Sequence, residues 1–167
     1  LKCITNGPII LHTRKKYLMY EMQVFTIGFT HKSAQRFFEL LRSSGDKRII
    51  DVRLNNVSQL AGFAKRDDLK FFAREICGMD YVHVPELAPT KDIFDAFKKE
   101  GGHWDVYTNS FLNLMSERKI ENSVPKELID RGCLLCSEDK PDHCHRRLVA
   151  EYLQKKWGNE LTIKHLF

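Results

Sequence analysis

The sequence predicts an α/β fold in three layers, with a mostly parallel sheet of about five strands and helices on both faces. Two observations carry this. Short β-rich runs alternate with helix-spaced segments of about 10 to 15 residues, the pattern of βαβ units. Glycine or proline punctuates nearly every switch between them, as at Gly28, Gly45, Gly78, Gly101-Gly102, Gly132 and Gly158. At 167 residues the chain can bury a core without disulfide or metal support.

In order, Gln23 to Gly28 is a β-rich run closed by glycine. From His31 to Ser44 the residues Ala34, Phe37, Phe38, Leu40 and Leu41 fall at helical spacing, with Ser33 or Thr30 as N-cap and Gly45 as stop. Arg48 to Arg53 is a compact apolar strand around Ile49-Ile50. Asp67 to Cys77 is a second amphipathic helix, Tyr81 to Val84 a third strand, and Lys91 to Lys99 a helix closed by the glycine pair. Trp104 to Lys119 is a longer helix and Pro125 to Asp130 a short one. Cys133 to Cys136 is a buried strand, His143 to Trp157 a helix, and Leu161 to His165 a closing strand. Residues 22–167 therefore read as one domain, with no repeat or linker. Leu1 to Glu21 reads differently, as a leader or an upstream, expression-derived extension, because Met22 stands directly before the first strand.

The net charge is +5. Lys2, Arg14, Lys15 and Lys16 against Glu21 place +3 of it in the first 21 residues, so the body carries only +2. That balance is no argument by itself for nucleic acid. No apolar run nears the roughly 20 residues needed to span a bilayer. The five cysteines form an odd set without a secretory pattern, which fits a reduced, cytoplasmic protein.

In a parallel sheet, ligands bind outside the carboxyl ends of the strands. The residues to weigh are those that follow each strand: Gly28 to His31, Asp51 to Arg53, His83 to Glu86 and Cys136 to Arg146. Thr26-Ile27-Gly28, Asp51-Val52-Arg53, Tyr81-x-His83, Leu134-Leu135-Cys136-x-Glu138, Pro141 and Cys144-His145-Arg146 together resemble the DUF488 family, from about Gln23 to Leu166. Many members have Pro and Ser after the Asp-Val-Arg; this chain has Leu54-Asn55-Asn56-Val57-Ser58, and Ala88-Pro89-Thr90 where Gly-Gly is frequent. It looks like a subgroup marked by those two loops. The family name stands for a domain of unknown function, so the resemblance implies fold and site position rather than a reaction.

The most chemistry-rich stretch is Cys136 to Arg147. Cys144, His145 and Arg146 open a helix, where free N–H groups and the dipole favour anions and depress a thiol pKa. Arg146 adds a planar fork matched to phosphate or carboxylate. Three readings stay open: an anion site with Cys136, Glu138 or His145 acting on the ligand; a metal held by Cys136, Cys144 and His145; or packing thiols with Arg146 paired to a carboxylate. Adjacent Cys144 and His145 are expected to diverge, which weighs against metal. Cys133 and Cys136, three apart on a strand, point to opposite faces and do not form a redox pair. A Cys136–Cys144 pairing across the loop is the more plausible dithiol.

Asp51 and Arg53 share one strand face, as do Tyr81 and His83, so each pair is either a site wall or a structural bond. Asn55, Asn56, Ser58 and Gln59 make an amide-rich loop suited to base edges, and Phe63 after it is either a stacking platform or a core residue. The expectation is an enzyme acting on a phosphate-bearing ligand, a nucleotide or nucleic acid. Cys136, Glu138, His83 and Asp51 are the candidate catalytic groups; Arg53, Asn55, Asn56, Cys144, His145 and Arg146 are the candidate ligand-binding groups. Neither metal nor cofactor is indicated, and oligomeric state is open. A non-catalytic anion- or nucleotide-binding sensor is the first alternative, and a thiol redox or metal protein the second. Convergence of Asp51, His83, Glu138 and Arg146 on one pocket is the main support of the enzyme and sensor readings.

Overall fold

A computed structural model of the chain describes residues 21–57, 61–158 and 160–167. Ser58 and Gln59 of the amide-rich loop, and all but the last residue of the 1–21 extension, lie outside the described residues.

Five strands form one parallel sheet: β1 (Met22–Gly28), β2 (Arg48–Asp51), β3 (Asp80–His83), β4 (Gly132–Cys136) and β5 (Leu161–His165). Their order is β3-β2-β4-β1-β5, which places β4 and β1 side by side near the middle. Both are buried along nearly their whole length, as strands covered on two faces must be.

Helices α1 (Ala34–Ser44) and α2 (Arg66–Cys77) cover one face. There Phe37, Phe38 and Leu41 of the first and Leu69 and Ala73 of the second meet Phe25, Ile27, Ile49, Cys133 and Leu135. Ser33 caps α1 by accepting from the Arg36 amide at 3.2 Å, and Gly45 ends it at φ 72°. That angle is natural for glycine and strained for other residues.

The opposite face is covered by α4 (Trp104–Glu117) and α7 (His145–Lys156). Tyr107, Phe111, Met115, Leu148, Val149 and Leu153 pack there on Val24, Ile50, Leu134 and Cys136. Between β3 and β4 the chain also forms α3 (Lys91–Lys98) and two single turns, α5 (Ile120–Ser123) and α6 (Lys126–Ile129). Alternation along β4 thus sends Cys133 to one core and Cys136 to the other, as the offset of three requires.

The helix after β1 lies on one face and the helix after β4 on the other. The chain therefore parts in two directions between these adjacent strands, and a crevice opens at their carboxyl ends. The residues at that edge are Gly28, which ends β1, with Phe29 after it, and Cys136, which ends β4, with Ser137 after it.

Candidate functional site

A cavity of about 230 Å³ occupies this crevice. Phe29, Phe94, Phe97 and Tyr107 give it aromatic walls. Arg53, Lys98 and His143 bring basic groups, Asn55 an amide and Glu138 a carboxylate. Cys136, Cys144 and His145 line it as well, and all three are buried.

Two backbone states bring these three side chains together. Cys136 is the last residue of β4. Cys144 is the N-cap of α7 and still has extended backbone, φ −133° and ψ 135°, whereas His145 has entered the helix. The turn between those states swings both side chains toward Cys136, and the ligating atoms of all three lie within 4.8 Å of one another. The expected divergence of Cys144 and His145 is thereby corrected. It assumed one uniform backbone, and the chain changes conformation between the two residues.

His145 is held from both sides. Its Nε2 lies 2.7 Å from the carbonyl oxygen of Val52, and its Nδ1 3.6 Å from Cys136 Sγ. A carbonyl only accepts, so Nε2 carries a hydrogen and Nδ1 is left to exchange a proton with the thiol. The ring also meets the edge of Phe111, with centroids 5.8 Å apart.

The electrostatics follow this geometry. The Cys136 thiol is held well below its usual pKa, first by the hydrogen bond from Cys144; burial opposes this, and the charges of His145 and Arg146 add to it. Cys144 is pushed well above its usual value by burial and by the neighbouring Cys136 charge, so it stays a thiol and donates. Burial alone would lower the pKa of His145, but the Cys136 charge and the Val52 carbonyl outweigh it and the net shift is upward. The favoured arrangement is a thiolate–imidazolium pair with a thiol donating from the side.

Of the four groups expected to converge, only Glu138 lines the cavity; Asp51, His83 and Arg146 do not, so the support expected from their convergence is absent and a functional reading rests on Cys136, Cys144 and His145 instead. Arg146 is 1% exposed. Its Nη1 donates to the Glu138 carbonyl at 2.5 Å, its Nη2 to the Asp139 carbonyl at 2.9 Å, and its Nε faces Thr26 Oγ1 at 3.4 Å. A buried guanidinium must find acceptors, and the backbone of the 137–139 turn supplies them. Arg146 therefore clamps the loop that carries Glu138. The clamp also explains Gly28, since a Cβ there would overlap the Glu138 carbonyl and touch the guanidinium.

Asp51 is fully buried and lies behind the cavity wall. It accepts from Arg53 Nε at 2.8 Å, from Arg53 Nη2 at 2.6 Å and from the Tyr81 hydroxyl at 2.6 Å. Burial and the Asp51 charge push the Tyr81 phenol up, which keeps it a donor. His83 Nε2 meets the Arg53 carbonyl at 2.9 Å, and Asn56 Nδ2 donates to Tyr81. This network holds Arg53, which lies over the Phe29 ring at 5.3 Å and lines the cavity. Lys98 reaches the mouth from α3 and bridges Glu138 at 2.8 Å.

Sequence reasoning missed the aromatic walls, Lys98 and His143. Phe97 and Tyr107 sit at positions whose apolar character signals only a core, and Tyr107 does pack there as well. Phe63 packs beside Phe37 on the opposite side of the sheet, as a core residue.

The fold and site thus define an α/β protein with a thiol-lined pocket at the point where the chain reverses direction across a parallel sheet. The chain belongs to the family described as domain of unknown function DUF488, whose profile matches residues 33–153. That span contains Cys136, Glu138, Cys144, His145 and Arg146 and stops short of Gly28 and Phe29. No curated protein and no solved structure matches the chain. No helix among the described residues is long and apolar enough to cross a membrane.

Proposed function

We propose that the protein is an enzyme in which Cys136 attacks an electrophilic carbon of a small phosphate-bearing ligand, most naturally a nucleotide. The observation that carries this is the Cys136–His145 contact at 3.6 Å, with His145 fixed by the Val52 carbonyl, on the wall of a cavity. A nucleophile, a base within reach and a third group that orients the base are the parts of nucleophilic catalysis.

The step balances as follows. The thiolate sulfur forms a bond to carbon while the bond to the leaving group breaks, and imidazolium Nδ1 gives its proton to that group. Neutral His145 then takes a proton from water, the hydroxide displaces sulfur, and the thiolate–imidazolium pair is restored. The aromatic walls suit a planar ring, and Arg53 and Lys98 suit the anionic end. A cavity of about 230 Å³ lies below the roughly 300–1,000 Å³ usual for drug-sized ligands, which favours a compact substrate.

The test is a panel of nucleobases, nucleosides and nucleotides, scored by protection of Cys136 from iodoacetamide and by turnover. Nucleotides are expected to protect more than their nucleosides, and Cys136→Ser to abolish turnover. Protection without adduct or turnover makes the protein a binding domain. Equal protection by nucleoside and nucleotide removes the phosphate from the proposal.

A further inference from the structure

We infer that Cys136, Cys144 and His145 form a site for one thiophilic divalent cation, of which Zn²⁺ is the type, with its fourth position open to the cavity. Two sulfurs and one imidazole nitrogen are the donor set such ions prefer. Among the described residues this is the one group of three or more His, Cys, Asp and Glu side chains close enough to share an ion.

The donor atoms lie close to the spacing that a bound ion needs. A tetrahedral ion with Zn–S of about 2.3 Å and Zn–N of about 2.1 Å spans a sulfur–nitrogen edge of about 3.6 Å. The edge from Cys136 Sγ to His145 Nδ1 is 3.6 Å, and the third donor lies within 4.8 Å of both. The Val52 carbonyl then does what outer-shell groups do at metal sites, since by engaging Nε2–H it fixes the tautomer that turns the Nδ1 lone pair inward. On binding, Cys144 and the imidazolium Nδ1 of His145 each release a proton to solvent, and two thiolates balance the two charges of the ion.

Three protein ligands leave one position vacant, and all three residues line the cavity, so water or a ligand group completes the shell from that side. A cation seated there uses the sulfur lone pair that would attack a substrate. The bound form is therefore an inhibited state; that consequence, unlike the binding itself, rests on the proposed nucleophilic role of Cys136.

The test uses the full chain, reduced and stripped by a chelator, in a background in which Cys3 and Cys77 are replaced by serine. Titration with Co²⁺ is expected to give one equivalent bound, with thiolate-to-cobalt charge transfer and the strong visible bands of tetrahedral geometry. Cys144→Ser should reduce the charge transfer by about half and weaken Zn²⁺ binding by at least the roughly 100-fold that outer-shell losses already reach. Cys133→Ala, on the other face of the sheet, should change neither. Circular dichroism confirms that each variant is folded, and Cys144→Ala replaces the serine variant if it is not. Weak octahedral bands without charge transfer, or a spectrum indifferent to both Cys144 variants, overturn the site. Iodoacetamide reactivity separates the two proposals: a metal-free protein with a fast Cys136 that Zn²⁺ does not protect refutes the cation site alone. A metal-free protein whose Cys136 alkylation climbs with pH as steeply as an ordinary thiol's, yet which still binds Co²⁺, refutes the nucleophile alone.

Discussion

The ionisation of Cys136 offers the sharpest test of the site, through the pH dependence of its alkylation. An ordinary thiol titrates near 8.5, so its thiolate fraction rises roughly 50-fold between pH 6.5 and 8.5, from about 1% to about half. Cys136 lies 3.6 Å from a histidine that its own charge helps to protonate. At an effective dielectric of about 20, two opposite charges at that distance attract by roughly 4–5 kcal/mol. Cys144 adds a hydrogen bond, and burial takes part of the gain back. The net direction is a thiolate favoured well below the usual thiol range. The rate of Cys136 alkylation in metal-free protein, followed by mass spectrometry, should therefore rise far less than roughly 50-fold across that range, while its plateau stays modest because nucleophilicity falls with pKa. His145→Ala removes the imidazolium; alkylation at pH 6.5 should drop at least about tenfold and regain a steep rise toward pH 8.5. A wild-type profile that climbs roughly 50-fold, or one that His145→Ala leaves flat, would falsify the thiolate–imidazolium pair.

Three further outcomes follow from the same contacts. Gly28→Ala drives a Cβ into the Glu138 carbonyl and should cost about 1–3 kcal/mol or more in urea unfolding, whereas Gly62→Ala, with open space around it, serves as a neutral control; equal midpoints for the two variants would show that the loop yields freely. Lys98→Ala breaks an ion pair whose partners are both about 40% exposed, so stability should shift by no more than about 1 kcal/mol while nucleotide protection of Cys136 falls relative to nucleoside. Asp46 is 8% exposed and burial raises its pKa from 3.8 to about 6 against the pull of Ser44, so the folded state prefers it protonated, and the stability this gives is complete below pH 3.8 and lost as the pH rises through about 6. Asp46→Asn should accordingly gain stability over wild type at pH 7.5, with about 3 kcal/mol as the upper bound, and gain less at pH 4.5; the reverse order in urea midpoints rules the burial argument out.

How much of this was legible in the sequence depends on the range of the interaction that decided it. The apolar spacing of Phe37, Phe38 and Leu41, the Ser33 cap and the stops at Gly45 and Gly78 are local, and each helix they predict is present. The run Leu134-Leu135 placed Cys136 at a strand end, and period-two alternation sent Cys133 to the other core. The loop motifs carried the resemblance that the family match supports over residues 33–153. Strand ends were thus identifiable, and with them Arg53, Asn55, Cys136, Glu138, Cys144 and His145, all of which line the cavity.

What the sequence left open is which way each polar group at those strand ends turns. Asp51, Asn56 and His83 support the wall from behind, and Arg146 turns inward, because a buried charge goes to whichever acceptors lie within reach. Those acceptors are backbone carbonyls of Glu138 and Asp139, and the group that orients His145 is the carbonyl of Val52, 93 residues earlier. A carbonyl is the same atom in every residue type, so its role leaves no trace in composition or spacing. It is set by strand order, which brings β2 beside β4 and β4 beside β1 through contacts distant in the chain. The sequence alone determined the elements and the edge at which chemistry would sit. The tertiary structure decided how His145 is held toward Cys136, because only the sheet's non-local pairing places the Val52 carbonyl against the imidazole.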